Sequence, residues 1–288
     1  MKLLILSSAK SKNVDSLIKQ AKKKNHQADF YLYRDLIFSY EPGDLKLFVN
    51  GINIDEYDVL ILRAPKNFLD HIRTIVYYSK NKPIYCLNEK ILTSILTYPS
   101  KLSQYTALSL AGLPVVPSKI IMNEIKFKNY FSQHQKPLIL KSTRGSLGLQ
   151  VYKVENYNEA QQIIKKHTVS QLLIQSYIPT REDVRIFVLG GQVLGGAKKK
   201  ATGSDFRTNI ARGGKGEKIK ITKEIQELSL KTAEALGAEF CGLDIMYWNN
   251  RPYILEANFS PHFESFAPYL DVDIAKKLIQ YLENKVIK

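Results

Sequence analysis

The sequence predicts an α/β fold. Strand and helix patterns alternate through the first hundred residues. Strand patterns then crowd the stretch from 182 to 258, with helical patterns at 222–236 and 271–286 interleaved. The first alternation, strands at 2–7, 28–33 and 58–62 with helices at 13–24, 66–80 and 89–96, argues for a small parallel sheet covered by helices. The opening K-L-L-I-L-S-S is too short for a secretory leader and reads as a buried strand. L-K-L-F-V-N-G-I-N-I (45–54) reads as a hairpin, because Asn50-Gly51 suits a type I′ turn.

Tyr98-Pro99 opens a second region, with Ser100 placed to cap a helix that ends at Gly112-Leu113-Pro114. A strand near 119–121, a helix over 123–133 and a strand over 137–142 follow. After the glycine turn at 143–148 come a strand near 149–154, a helix over 156–167 and a strand over 171–176. Strands at 182–189, 192–201, 238–248 and 252–258 complete the pattern. The stretch 202–217 carries too many turn residues for regular structure, and long ordered loops of that kind are often functional. Three regions result: 1–97, 98–177 and 178–288.

The chain has 288 residues, enough for a large core, and a net charge of +15. Such a field attracts polyanions, whether nucleic acid, anionic membrane, nucleotide or acidic protein, without choosing among them. No apolar run approaches the roughly 20 residues that span a bilayer, so a cytoplasmic location and no membrane partner are expected. The two cysteines, Cys86 and Cys241, sit beside apolar residues and read as core thiols rather than as a disulfide or metal ligands.

Chemistry concentrates in G-L-D-I-M-Y-W-N-N-R-P-Y-I-L-E-A-N-F-S-P (242–261), two strands about a tight turn. Glu256 and Asn258 share a strand face, and Asp244 can come opposite them across the hairpin. Two carboxylates and an amide oxygen suit magnesium or manganese, although an isolated D…E-x-N is more often an ordinary polar hairpin face. Four pieces upstream are each ambiguous. Lys141 ends an apolar strand just before Gly145, Ser146 and Gly148, where an ammonium and exposed N–H groups can hold phosphate. It is not a Walker A sequence, and no G-x-G-x-x-G follows the first strand. L-I-Q-S-Y-I (173–178) offers a strand end to adenine, and Asp183 a carboxylate to ribose. In A-K-K-K-A, Lys199 faces opposite Lys198 and Lys200. Lys101 lies on the helix that opens the second region.

Taken in order, Lys101, Lys141 with its glycine turn, Q-S-Y-I, D-x-R, D-F-R-T-N, G-G and D-(x11)-E-x-N-x-S-P, the chain resembles the ATP-grasp superfamily and most closely its RimK-type alpha-L-glutamate ligases. The resemblance covers roughly residues 98–270. It implies an ATP-grasp fold, two α+β lobes gripping ATP, preceded by a small Rossmann-like α/β domain. It further implies an ADP-forming carboxylate–amine ligase that takes ATP, two magnesium (or manganese) ions, an amino acid and a carboxylate-bearing acceptor.

By the same resemblance, Lys101 and Lys141 hold phosphates under the loop of Gly145, Ser146 and Gly148. Ser176 and Tyr177 meet adenine and Asp183 the ribose; Lys199 is a further nucleotide-binding candidate, since either face of its strand could present charge to a phosphate. Arg207, Thr208 and Asn209 line the site of phosphoryl transfer, Arg207 and Asn209 as catalytic groups. Asp244, Glu256 and Asn258 hold the metals. Three positions depart from the family pattern: Ser176 replaces the usual glutamate, Lys198 an often acidic residue, and His262 the glycine after Ser-Pro. Other readings are a basic nucleic-acid-binding module and a kinase; the tyrosines do not alternate with lysines in one stripe, so nucleic acid is not expected as a partner. Assembly into a homo-oligomer stays open.

Overall fold

The computed structural model describes residues 1–64, 68–94, 100–143, 150–201, 208 and 215–286. The first region runs β1 (Lys2–Ser7), α1 (Lys12–Lys23), β2 (Gln27–Leu32), β3 (Leu36–Glu41), β4 (Asp44–Val49), β5 (Ile52–Asn53), β6 (Val59–Arg63), α2 (Leu69–Ser79), β7 (Tyr85–Cys86) and α3 (Glu89–Thr93). Four of these strands form a sheet in the order β2-β1-β6-β7, every pair parallel. β1 and β6 are apolar almost throughout because both faces of a helix-covered parallel sheet are buried. The expected hairpin is one half of a three-stranded antiparallel sheet, β3-β4-β5. Its Asn50-Gly51 turn has both φ values positive, as type I′ requires. The sequence reading missed β3, although L-I-F-S-Y-E before Pro42-Gly43 carries a strand-and-turn signal.

Next come α4 (Lys101–Leu110), β8 (Ser118–Lys119), α5 (Glu124–Gln133), β9 (Leu138–Ser142), β10 (Val151–Val154), α6 (Tyr157–His167) and β11 (Leu172–Ser176). The antiparallel sheet β10-β9-β11-β8 packs with α5 and α6 around its own core, including Phe127, Phe131, Leu140, Val154 and Leu172. Ser100 does cap α4, accepting from the Leu102 N–H.

The last region contains β12 (Glu182–Leu189), β13 (Gln192–Lys200), β14 (Lys215–Lys218), α7 (Lys223–Leu236), β15 (Phe240–Trp248), β16 (Arg251–Asn258) and α8 (Ile274–Val286). Its antiparallel sheet runs β14-β13-β12-β15-β16. β14 corrects the expectation that 202–217 lacks regular structure: from Lys215 the chain pairs with β13, and the earlier part lies largely outside the described residues. Asn249 and Asn250 both take positive φ in the turn between β15 and β16.

First and last regions share apolar cores. Leu3, Ile5 and Leu17 cluster with Phe187, Phe240 and Leu278. Buried Asn88 pins the two together, accepting from the Glu239 and Phe240 N–H groups and donating to the Phe240 carbonyl. Cys86 and Cys241 are free, buried thiols within these cores, and burial pushes the Cys241 thiol up to about 12. Among the described residues no helix is long and apolar enough to cross a membrane.

Candidate active site

Strand register assembles the polar centre. Across β15 and β16 Asp244 faces Glu256 and Gly242 faces Asn258, with a bulge just beyond Asp244. Alternation puts all four positions on one face. On the neighbouring strands Arg185 of β12 lies beside Asp244, and Asp183 beside Lys199 of β13. A methyl group at Gly242 would come 2.9 Å from Pro261 Cβ and 3.1 Å from Arg185 Cδ, so glycine leaves room for the arginine.

Arg185 grips Asp244 with both forks, Nε donating to Oδ1 at 2.6 Å and Nη2 to Oδ2 at 2.7 Å. Lys199 Nζ lies 2.8 Å from Asp244 Oδ1 and 2.7 Å from Asp183 Oδ1. Thr208 donates to the other Asp183 oxygen. Lys198 and Lys200 turn outward to Glu182 and Glu217, as the strand alternation predicts. Lys101 pairs with Glu256 at 3.2 Å, and Asn258 Nδ2 lies 3.4 Å from the other Glu256 oxygen. Gln104 and Tyr105 fasten α4 to the backbone of β16 and so place Lys101 there.

Burial alone would raise both carboxylates facing each other across the hairpin, but nearby cations prevail. Arg185 and Lys199 bring Asp244 down to about 2, and Lys101 lowers Glu256. Asp183 goes the other way, raised by burial with Asp244 adding to it, because Lys199 is shared between two acids. Lys141 lies within the chain's main pocket yet, among the described residues, has no carboxylate at ion-pair distance. Burial, reinforced by the like charge of Lys101 and only partly opposed by Glu256, pushes its ammonium down to about 8. A cation left short of counter-charge in a cleft is what an anionic ligand completes.

The inward-facing acids and cations, with Thr208 and Asn258, line one pocket of about 610 Å³. Every described residue singled out from the sequence is on its wall: Lys101, Lys141, Ser176, Tyr177, Asp183, Lys199, Thr208, Asp244, Glu256 and Asn258. Gly145, Ser146, Gly148, Arg207 and Asn209 lie outside the described residues. Three contributors were missed. Arg185 was visible as the basic residue of D-x-R, and its role follows only from register with Asp244. Arg63 is buried and donates to the Pro261 carbonyl at 2.9 Å, an apolar-strand residue with no sequence signal. Asn13, in the first turn of α1, reaches the turn after β16.

That last contact fixes a tautomer. Asn13 Oδ1 accepts from the Glu264 N–H at 3.0 Å, so its amide NH₂ must be the group 3.2 Å from His262 Nδ1. His262 Nδ1 therefore accepts, and the ring is neutral with its proton on Nε2. Burial, then Arg63 and Arg185, also lower its pKa below the ordinary value. ¹⁵N-histidine NMR is expected to find His262 in the neutral Nε2–H form at pH 6.5. In Asn13→Asp, whose carboxylate can accept from a protonated Nδ1, titration should move above that pH; no movement would refute the hydrogen-bond assignment.

The donors fit a divalent ion. Asp244, Glu256 and Asn258 offer hard oxygens on one hairpin face, and among the described residues Asp244 Oδ2 accepts one bond, from Arg185, which leaves a lone pair. Among the described residues no group of three or more His, Cys, Asp and Glu gathers as an alternative.

Comparison with known proteins bears on the fold and the family. Solved structures of the same fold include the ATP-grasp ligase PsnB complexed with a minimal precursor (TM-score 0.77, 20% identity, 99% of both chains covered). Another is a RimK domain ATP-grasp protein from Sphaerobacter thermophilus (TM-score 0.72, 16% identity, 98% of this chain and 99% of that one). The fold is that of the ATP-grasp ligases. A model of the RimK-like ATP-grasp domain matches residues 100–282, and the chain belongs to that family. Relatives described as probable alpha-L-glutamate ligases occur in Maridesulfovibrio salexigens, 26% identical over 98% of this chain and 95% of that one, and in Vibrio atlanticus, 27% identical over the same shares.

Proposed function

We propose that this chain is an ADP-forming acid–amino-acid ligase that joins an amino acid, glutamate foremost, to a carboxylate on a peptide, protein or small-molecule acceptor. The observation that carries the reading is the meeting, in one pocket, of the half-buried ammonium of Lys141 with the Asp244–Glu256–Asn258 oxygen face. Lys101 and Lys141 hold the triphosphate of ATP, Ser176 and Tyr177 present a strand end to adenine, and Asp183 lies toward the ribose. Asp244, Glu256 and Asn258 hold two magnesium or manganese ions, which when bound neutralise charge building on the phosphate oxygens.

The chemistry is two displacements. An acceptor carboxylate oxygen bonds to the γ-phosphorus while the bond to ADP breaks, leaving an acyl phosphate. An amine nitrogen then bonds to the acyl carbon, phosphate leaves, and the nitrogen loses a proton. Arg207, Thr208 and Asn209 are the proposed contacts to the transferring group, and Thr208 is tied through Asp183 to Lys199. The protein's part is positioning and charge neutralisation. ADP release should be screened across amino-acid and carboxylate pairs, with product mass as the readout. A mass gain equal to one amino-acid residue per ADP supports the ligase; a stable phosphate ester refutes it.

Lys141 supplies a second check. With a pKa of about 8 it is roughly one-quarter protonated at pH 8.5, and a bound triphosphate restores full protonation. Nucleotide binding at pH 8.5 should therefore take up about three-quarters of a proton, read by calorimetry in buffers of different ionisation enthalpy. Lys141→Met should remove both the uptake and most of the affinity, whereas uptake persisting in that variant would assign the proton elsewhere.

A further inference from the structure

We infer that a second groove, between the lysine face of α1 and the outer edge of β2, docks an acidic peptide in extended form. This deepens the ligase reading, on which it rests only in naming that peptide as the acceptor. β2 ends its sheet, hydrogen-bonded to β1 alone, so its outer backbone groups are open to a further strand. The groove beside it has a volume of about 830 Å³ and is lined by Lys19, Lys22 and Lys23 of α1. Spacings of three and four put these lysines on one helix face. Among the described residues none of the three has a carboxylate partner, whereas the next lysine, Lys24, turns away to Glu283.

The groove's own acids do not compete for them. Asp15 lies 3.4 Å from Lys10, and Asp29 accepts from Tyr57 at 3.0 Å and from Gln27 at 2.9 Å. The aromatic residues of β2 favour peptide over nucleic acid. Phe30 packs toward one apolar core and Tyr31 toward the other, so neither presents an open face for base stacking. The groove also leads somewhere: Lys10 lines it, while Ser11 and Asn13, one and three residues on, line the main pocket. The twelve residues of α1 span about 18 Å, the reach of five or six extended residues. A chain lying in the groove can thus bring one end to the pocket mouth.

The test uses the full chain and fluorescein-labelled hexaglutamate, read by anisotropy. Binding is expected, with little for hexaglutamine. Lys19→Glu/Lys22→Glu/Lys23→Glu should weaken hexaglutamate by about tenfold or more while leaving MgATP affinity unchanged, and Lys165→Glu/Lys166→Glu on α6 should have no effect. Hexaglutamate N-methylated at alternate residues should also bind more weakly, because strand addition needs its N–H groups. Undiminished binding to the triple variant overturns the site, as does oligothymidylate binding there more tightly than hexaglutamate. Hexaglutamate that docks but gains no mass with MgATP and glutamate leaves the docking intact and removes the peptide as acceptor.

Discussion

Asp244→Ala should destabilise the protein by about 3–5 kcal/mol, because it strands the largely buried Arg185 guanidinium, 12% exposed, and takes one of two carboxylates from the buried Lys199. The measurement is denaturant unfolding at neutral pH, compared with wild type. The sign follows from the shifted carboxyl. Its pKa falls from 3.8 to about 2 on folding, so its stabilisation is complete above 3.8 and disappears as pH drops through 2. The difference between wild type and variant should shrink over that window. A variant as stable as wild type at pH 7 would mean that the Arg185–Asp244–Lys199 cluster is not the structural keystone of the five-stranded sheet.

Glu256→Gln should separate metal from nucleotide. The substitution keeps shape, removes one negative oxygen donor and frees Lys101 from its pairing. Metal-free ATP should bind as well as before or slightly better, since another cation is released toward phosphate. The gain in affinity that magnesium confers should fall about 100-fold. Calorimetry with and without magnesium measures both, and an unchanged magnesium gain would remove Glu256 from the metal set. Asn258→Ala should lose part of the same gain without altering Lys101.

Much of this was legible in the residues themselves. Apolar runs such as L-L-I-L and V-L-I-L marked the parallel strands, and Asn-Gly and Asn-Asn marked the turns. The spacing of Glu256 and Asn258 put them on one strand face, with Asp244 able to come opposite them across the hairpin. What the sequence withheld depends on pairing between distant segments. Arg185 is one basic residue among many until β12 lies beside β15. Asn13 and His262 are 249 positions apart and meet only because α1 packs near the turn after β16. The motif that placed the site therefore lies along strands, where period-two alternation is readable, and its supports lie between elements, where it is not.

The separate apolar core beneath β8–β11 has a mechanical consequence. Lys141 rides on that small sheet, while Lys101 opens a helix bonded to both sides, through Gln104 to β16 and through the Lys101 N–H and Tyr105 to Thr143 and Gln175. The apolar clusters on the two sides are separate, so α4 is a polar hinge-pin between them, and a nucleotide held as proposed would add a second tie across the same seam.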